Sequence, residues 1–437
     1  MVILFCKINN FWNKFWRTEI TRVFSFTSVS TLVKMLTGLI SVKVVSVIIG
    51  PAGIALLGQL NSFSTIVLNL ASGGINSGVT KYVAEHKSEP VDRVKQFIST
   101  AFKITTYCSL IIGLCLILFN SILSKLVMLS PNYGYVFIIF GLTIFFFSFN
   151  NLLLSILNGY KEFKRFVKIN IVNSVCGLIF TIILVCFWQL NGALISTVTF
   201  QSVMLLVTLW MIRKLPFIKK EFFFGVFDKS IFRKYFHYAA MTFISIATVP
   251  VSQLILRGHI IANVSEIQAG WWEAMNRISG IYLMIITSSF SVYYLPRLSE
   301  LKTSKELRHE ISKAYKVVFP LLITGFTIIY LFRVYIIRFV FTEEFLPMVN
   351  LFIWQLVGDL FKIASWLLAF LMVAKSMTKA FITTEILFSA FFVGLSFLLL
   401  KPNGIVGIVQ AYLINYIVYF IILLILFRKI LFVSYEY

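Results

Sequence analysis

The sequence predicts an all-α polytopic membrane protein with about twelve transmembrane helices in two six-helix bundles. Of its 437 residues, 59% are hydrophobic and 13% are charged, whereas about 25% are charged in soluble globular domains. Apolar stretches of about 20 residues recur along the chain, and in a bilayer a helix satisfies its own backbone polar groups. Basic residues cluster in alternate connections between these stretches, which is the pattern of a multi-pass protein.

Twelve apolar spans follow one another along the chain. Each is long enough for a helix, at about 1.5 Å per residue, to cross a hydrocarbon layer of about 30 Å. The predicted spans are residues 25–49, 53–80, 98–120, 134–158, 168–188, 192–212, 236–256, 268–295, 315–341, 349–375, 379–400 and 404–427.

The basic residues predict the orientation of these spans. Lys and Arg concentrate at both chain ends and in every even-numbered connection. The odd-numbered connections hold almost none, and "GPA" (50–52), "QLN" (189–191) and "TEEFLP" (342–347) contain none. The positive-inside rule therefore places both termini in the cytoplasm. The formal net charge of +22 is explained by topology, so no nucleic-acid partner is expected.

Two similarities suggest that the halves of the chain are repeats. "ISTAFK" (98–103) resembles "ISKAYK" (311–316), and "AGIALLGQLNS" (52–62) shares Ala, Gly and Ser with "AGWWEAMNRIS" (269–279). Each pair is separated by about half the chain, which indicates two parallel repeats with a cleft between them. The predicted domains are an interfacial segment (1–24, with "FWNKFWR"), a bundle (25–212), a cytoplasmic linker (213–235), a second bundle (236–427) and a cytoplasmic tail (428–437).

Several ionisable residues lie inside the predicted spans. A charge at that depth costs about 2.5–3.5 kcal/mol on insertion scales, so such residues usually face a cavity. The deep basic residues outnumber the acidic ones, which predicts a cationic cavity that attracts a phosphate or pyrophosphate. The candidate substrate-binding residues are Lys34, Lys43, Arg277 and Lys362, the candidate ion-coupling or charge-balancing residues are Glu273 and Asp359, and the candidate gating residue is Pro250.

Each candidate also has a purely structural interpretation. Asp359 and Lys362, one helical turn apart, can neutralise each other during membrane insertion. Lys43, near the end of its span, can extend its ammonium group towards the interface. Pro250 removes one backbone hydrogen bond and can produce either a bending gate or a static kink.

Four segments resemble the Wzx-type O-antigen flippases, including the enterobacterial common antigen translocase, of the MOP exporter superfamily. They are residues 30–60 with "GPAG", "GVTKYVAEH" (78–86), "SFSVYYLPRLSEL" (289–301) and "WQLVGDLFK" (354–362). The resemblance implies two six-helix bundles around a central cavity with alternating access. It also implies transport of an undecaprenyl-pyrophosphate-linked oligosaccharide across the bacterial inner membrane, towards the periplasmic leaflet. Lys34, Arg277 and Lys362 would then engage the pyrophosphate.

Other functions remain open at this point. No HExxH, GxSxG, Walker A or CxxC pattern is present in the sequence, so an enzyme is not expected. A MATE-like exporter calls for unpaired acidic residues, and a glycan polymerase or ligase calls for a large outer loop. A flippase for another lipid-linked glycan is the nearest alternative. No cofactor is expected, while coupling to protons or sodium ions and contacts with membrane lipids and other glycan assembly proteins stay open.

Overall fold

The computed structural model describes residues 19–87, 89–225 and 227–432. Every regular element in these residues is helical, and nine helices among them are long and apolar enough to cross a membrane. The prediction of an all-α polytopic membrane protein is therefore confirmed. The count of twelve spans and the cytoplasmic termini stay predictions, and the segment "FWNKFWR" lies outside the described residues.

The helices follow in chain order. They are α1 (Glu19–Ala71), α2 (Asn76–His86), α3 (Val91–Leu118), α4 (Asn120–Val127), α5 (Gly134–Gly159), α6 (Phe163–Ile212), α7 (Lys220–Phe223), α8 (Lys229–Asn263), α9 (Glu266–Ser289), α10 (Leu295–Glu300), α11 (Ser304–Leu331), α12 (Arg333–Val340), α13 (Phe352–Ala374), α14 (Thr378–Asn403), α15 (Ile405–Leu426) and α16 (Arg428–Phe432). The 3-10 turns are Pro131–Tyr133, Pro216–Ile218 and Glu343–Leu351, and a π-helical turn spans Phe290–Tyr294.

The two longest helices, α1 and α6, each contain one break. Gly50 in α1 has φ 64° and ψ −170°, and Gln189 in α6 has φ 46° and ψ −124°. Both breaks lie in the connections "GPA" and "QLN" of the sequence analysis. Glycine adopts a positive φ at little cost, and Pro51 after it lacks the N–H group that would continue the helix. Each long helix is thus two apolar segments joined at a sharp turn.

The chain divides into two compact units. Unit 1 comprises the described residues of 1–41, 67–126 and 130–243, and unit 2 comprises those of 42–66, 127–129 and 244–437. Residues 42–66, which the sequence analysis placed in the N-terminal bundle, group with unit 2. The predicted boundaries of the two bundles stay predictions.

In unit 1, α5 packs along α3 and α6. The residues 213–235 contribute to the core of this unit, because Phe217, Phe222 and Phe223 are buried in it. Phe217 stacks on Tyr160 with ring centroids 3.8 Å apart. The segment predicted as a linker is thus anchored on unit 1 by aromatic burial.

In unit 2, the central helix is α13, which carries the "WQLVGDLFK" motif. It packs along α11 and α15, and α14 packs along α15. The turn at Pro51 approaches α9 so closely that a Cβ atom on Gly270 would lie 2.0 Å from the Pro51 carbonyl oxygen. Only glycine fits at this contact, which fixes residues 50–66 beside the helix that carries Glu273 and Arg277.

Asp228 caps the N-terminus of α8, outside the apolar spans. Its Oδ1 accepts hydrogen bonds from the Ser230 hydroxyl and from the backbone N–H groups of Ser230 and Ile231. These bonds, led by the one from Ser230, hold the pKa of Asp228 below its ordinary value of 3.8. An ionised cap stabilises the helix through its unpaired N–H groups.

We expect Asp228→Ala to lower the free energy of unfolding by about 1 kcal/mol. Because the folded-state pKa is lowered, the stabilisation by the charge is complete above the unfolded pKa and is lost as the pH falls through the folded value. Thermal unfolding of the purified protein in detergent measures this. The difference between wild type and variant should shrink below pH 3.8, and a difference that is constant with pH would contradict the assignment.

Candidate functional site

Asp359 is fully buried in unit 2 and is surrounded by hydrogen-bond donors. Its Oδ2 accepts from the Ser279 hydroxyl at 2.7 Å, from the Tyr282 hydroxyl and from Gln355 Nε2 at 3.3 Å. Its Oδ1 accepts from the Tyr412 hydroxyl at 2.6 Å. A carboxyl group that accepts on both oxygens is arranged as a carboxylate. We call Asp359 and these four donors the Asp359 cluster.

Lys362 does not pair directly with Asp359. Its ammonium group donates to the Tyr412 hydroxyl at 3.1 Å, and that same hydroxyl donates to Asp359. The ammonium also lies 5.2 Å from the ring centroids of Trp366 and Tyr416 and 5.3 Å from that of Tyr412. Within the described residues Lys362 forms no ion pair. The neutralisation of Asp359 by Lys362 that the sequence suggested is therefore indirect, through the hydroxyl group of Tyr412.

Glu273 lies between two arginines. Its Oε2 pairs with Arg257 Nη2 at 2.5 Å, and its Oε1 pairs with Arg277 Nε at 3.0 Å. Arg257 is 1% exposed and also donates to Gln59 Oε1 and Ser62 Oγ. We call Arg257, Glu273 and Arg277 the arginine triad. Its charges sum to +1, because one carboxylate serves two guanidinium groups.

A cavity of about 200 Å³ lies within unit 2, and we call it the unit 2 cavity. Its lining includes Lys362, the tyrosines of α15 and the acidic side chain of Glu385. Asp359 and the triad residues are not among its lining residues, although Trp272, Asn276 and Ser279 of α9 are. Of the predicted site residues in the described part of the chain, Lys362 alone lines this cavity.

Lys34 lies in unit 1, in a groove of about 580 Å³ that we call the unit 1 groove. One face of α1 and one face of α6 line the groove with hydroxyl and amide side chains, including Thr37, Asn170 and Asn173. No described residue forms an ion pair or hydrogen bond with the Lys34 ammonium group. Lys34 is therefore a lone cation in a polar groove.

Lys43 and Pro250 occupy different settings. The Lys43 ammonium donates to the carbonyl oxygens of Arg338, at 2.8 Å, and of Phe341, at the end of α12. A cation there complements the negative end of the helix dipole. Pro250 lies inside α8, two residues before Ser252, whose hydroxyl lies 2.6 Å from that of Ser389 on α14.

Tyr412, which joins the two charged residues of α13, was not among the site residues predicted from the sequence. One signal could have indicated it: Tyr412, Tyr416 and Tyr419 share one face of an otherwise apolar span at helical spacing. The motif also contains Gly358, at which a Cβ atom would lie 2.6 Å from Tyr412 Cδ1 and 3.4 Å from the Leu413 Cα. The glycine allows the tyrosine ring to approach the Asp359 carboxylate.

We expect Gly358→Ala to displace the Tyr412 ring and to reduce activity without loss of membrane insertion. The matched control is Gly394→Ala on α14, because no atom lies within 4 Å of a Cβ built at Gly394. That control should keep full function and stabilise its helix by roughly 0.5–1 kcal/mol. The complementation assay under "Proposed function", at matched protein level, distinguishes the two variants. Equal function of both would contradict a role for the contact between Gly358 and Tyr412.

The amino-acid sequence matches the profile of one protein family and is similar to two curated relatives. The profile of the family described as polysaccharide biosynthesis protein matches residues 20–302. Two relatives named lipid III flippase, from Escherichia coli (strain K12) and Shigella flexneri, are each 28% identical over 395 residues, which are 90% of this chain and 95% of the relative.

Solved structures show the same fold. A lipid II flippase MurJ in an inward closed conformation aligns with a TM-score of 0.74 at 15% identity, covering 94% of this chain and 89% of that one. An inward-facing multidrug resistance MATE family transporter of the MOP superfamily aligns with a TM-score of 0.73 at 15% identity, covering 93% and 96%. The chain therefore shares the all-helical fold of these transporters, while two bundles of six helices around a central cavity stay a prediction.

Proposed function

The chain belongs to the polysaccharide biosynthesis protein family, and from this premise we propose that it is a flippase for a lipid-linked glycan. The substrate is an O-antigen-type oligosaccharide on undecaprenyl pyrophosphate, moved from the cytoplasmic to the periplasmic leaflet of a bacterial inner membrane. The named relatives support the glycan-lipid class of substrate. Membrane lipids surround the protein, and other glycan assembly proteins supply and take up the substrate.

The observation that carries the proposal is the setting of Lys362. Its ammonium group is held at the wall of the unit 2 cavity by one hydroxyl and three aromatic rings. A lysine has three N–H donors, and Tyr412 accepts only one of them. The remaining donors suit a phosphate oxygen, and water or substrate in the cavity offsets the cost of a charge at this depth.

The other candidate residues take roles that follow from their contacts. Arg277 joins Lys362 as a ligand of the pyrophosphate, because the triad keeps one positive charge in excess. Asp359 and Glu273 balance the charge of the basic groups and hold them in place. Both oxygens of each carboxylate already accept from protein groups, which favours this role over binding of a coupling ion. Lys34 contacts the substrate in the unit 1 groove.

Two further candidates act on the protein rather than on the substrate. Lys43 joins α1 to the end of α12, which makes it a positioning residue. Pro250 lies beside the hydrogen bond between α8 and α14 and is the position at which α8 bends as a gate.

Complementation of a bacterial strain that lacks its own lipid-linked oligosaccharide flippase tests the function. Wild type should restore surface glycan and clear the lipid-linked precursor that accumulates in the inner membrane. An empty vector is the negative control, and Gly394→Ala at matched membrane level is the positive one. If wild type restores no glycan in strains that make several different units, the proposal is wrong.

A further inference from the structure

An apolar cavity lies in unit 1, against the segment that joins α6 to α8, and we call it the phenylalanine pocket. It has a volume of about 260 Å³, and its described lining consists of five phenylalanines, three aliphatic residues and Lys220. The rings pack edge to face, since the ring centroid of Phe102 lies 5.4 Å from that of Phe149 and 5.5 Å from that of Phe223. Such contacts hold aromatic rings in fixed orientations, so the pocket is preformed.

Exposed aromatic and basic side chains place this pocket at a membrane–water interface. Trp210, at the end of α6, is 62% exposed, and the guanidinium carbon of Arg213 lies 5.6 Å from its ring centroid. Tryptophan is enriched where the hydrocarbon layer meets the headgroups. Leu209, next to Trp210, lines the pocket, as does Phe224, which is 73% exposed. The pocket therefore lies at the depth where acyl chains join their headgroups.

Two lysines give the pocket an uncompensated positive charge. Lys219 and Lys220 are exposed, and neither ammonium group forms an ion pair or hydrogen bond with any described residue. The carboxylate of the adjacent Glu221 has a cation of its own, because it lies 3.7 Å from the ammonium group of Lys95, which also pairs with Asp92. A lysine lays its apolar stem on a hydrophobic surface and extends its charge into the headgroup layer. Lys220 thus connects the apolar lining with that layer.

We propose that the phenylalanine pocket binds one molecule of an anionic glycerophospholipid, of the phosphatidylglycerol type. One acyl chain enters the pocket, and the lipid phosphate accepts hydrogen bonds from the ammonium groups of Lys219 and Lys220. Basic residues beside apolar surface at a membrane interface favour anionic lipids over zwitterionic ones. The pocket shares no described lining residue with the unit 1 groove. This site goes beyond the proposed function, because it binds a resident lipid of the membrane and not the transported glycan.

Two other occupants suit the pocket less well. The segment 1–18, which lies outside the described residues, is rich in aromatic residues but carries Lys7, Lys14 and Arg17. The two lysines at the pocket would repel these charges. The isoprenoid chain of an undecaprenyl carrier has a methyl branch on each unit, whereas a straight acyl chain fits between closely packed rings. Charge and shape therefore both favour a phospholipid.

Native mass spectrometry of the purified full chain in detergent tests the inference. The probes are phosphatidylglycerol and phosphatidylethanolamine with identical acyl chains. We expect the first phosphatidylglycerol to bind roughly 10–30-fold more tightly than the first phosphatidylethanolamine, the effect of two lysines near an anionic headgroup. Lys219→Gln with Lys220→Gln should remove most of this preference. The matched control is Lys302→Gln with Lys305→Gln, which neutralises two exposed lysines of unit 2 and should keep it.

A second pair of variants tests the apolar part of the site without a change of charge. Leu209→Trp fills the pocket and should weaken binding of the first phosphatidylglycerol. Leu206→Trp is its control, because Leu206 lies on the same segment of α6, is 70% exposed and does not line the pocket. Thermal unfolding without added lipid shows that both variants are folded.

Four results would overturn the proposal. The first is equal affinity for the two phospholipids, and the second is a preference that persists both in the double lysine variant and in Leu209→Trp. The third is tighter binding of undecaprenyl phosphate than of phosphatidylglycerol, which would indicate a site for the substrate chain. The fourth is no saturable binding of either phospholipid, which would favour the segment 1–18 as the occupant.

Discussion

Replacing Glu273 by glutamine lowers the free energy of unfolding by about 3–5 kcal/mol, the usual cost of removing one partner from a buried ion pair. Arg257 is 1% exposed and Arg277 is partly buried, and both bind this one carboxylate. Without it, the two guanidinium groups face each other in a poorly solvated site. Thermal unfolding in detergent and the amount of protein in membranes measure the effect.

A double variant shows whether charge is the cause. Arg257→Met with Glu273→Gln removes the most deeply buried cation, so we expect recovery of most of the stability, since apolar replacements of buried ion pairs are often neutral or stabilising. If the double variant is as unstable as the single one, loss of shape explains the result and the electrostatic account fails.

The neighbouring Gly58 offers a second perturbation of the same triad. A Cβ atom there would lie 2.6 Å from Glu273 Cδ and 2.8 Å from Arg257 Nε. Gly58→Ala should therefore displace the ion pair and destabilise the protein. Gly38→Ala, on the α1 segment before the break at Gly50, is the control, because no atom lies within 4 Å of its Cβ position.

The parts of the fold that depend on local physics could be predicted from the sequence. Apolar spans and the short connections "GPA" and "QLN" are properties of single segments, and the breaks at Gly50 and Gln189 lie in those connections. The resemblance to a flippase family rested on four motifs, and the match of the polysaccharide biosynthesis protein family to residues 20–302 agrees with it. The grouping of residues 42–66 with unit 2 could not be predicted, because it depends on contacts distant in sequence, such as that of Pro51 with Gly270.

In the candidate site, too, contacts within one helix could be predicted and contacts between helices could not. Glu273 and Arg277, four residues apart on one helix, form the ion pair that this spacing favours. Asp359 and Lys362 are three residues apart, yet each prefers another partner. Both bind the hydroxyl group of Tyr412 on α15. No pattern within α13 specifies a residue that lies 50 positions after Lys362.

We expect Lys362→Met to reduce transport strongly while the protein still inserts and folds. Methionine keeps the length and the contacts with the rings of Trp366 and Tyr416, and Asp359 keeps its four donors. The lost charge-assisted hydrogen bond to the pyrophosphate amounts to about 1.5–3 kcal/mol, or roughly 10–150-fold in affinity. Surface glycan in the flippase-deficient strain, at matched membrane level, is the measurement.

Two companion variants separate binding of the substrate from neutralisation of Asp359. Tyr412→Phe removes the hydroxyl between the two charges and leaves the ring, so we expect a partial loss of about 2–10-fold, the equivalent of one ordinary hydrogen bond. Lys362→Met with Asp359→Leu removes both charges. If the lysine binds substrate, this double variant is as inactive as Lys362→Met. If it recovers transport, the lysine serves only to balance the carboxylate, and the pyrophosphate role passes to Arg277, whose contact with Glu273 leaves the rest of its guanidinium fork for a phosphate.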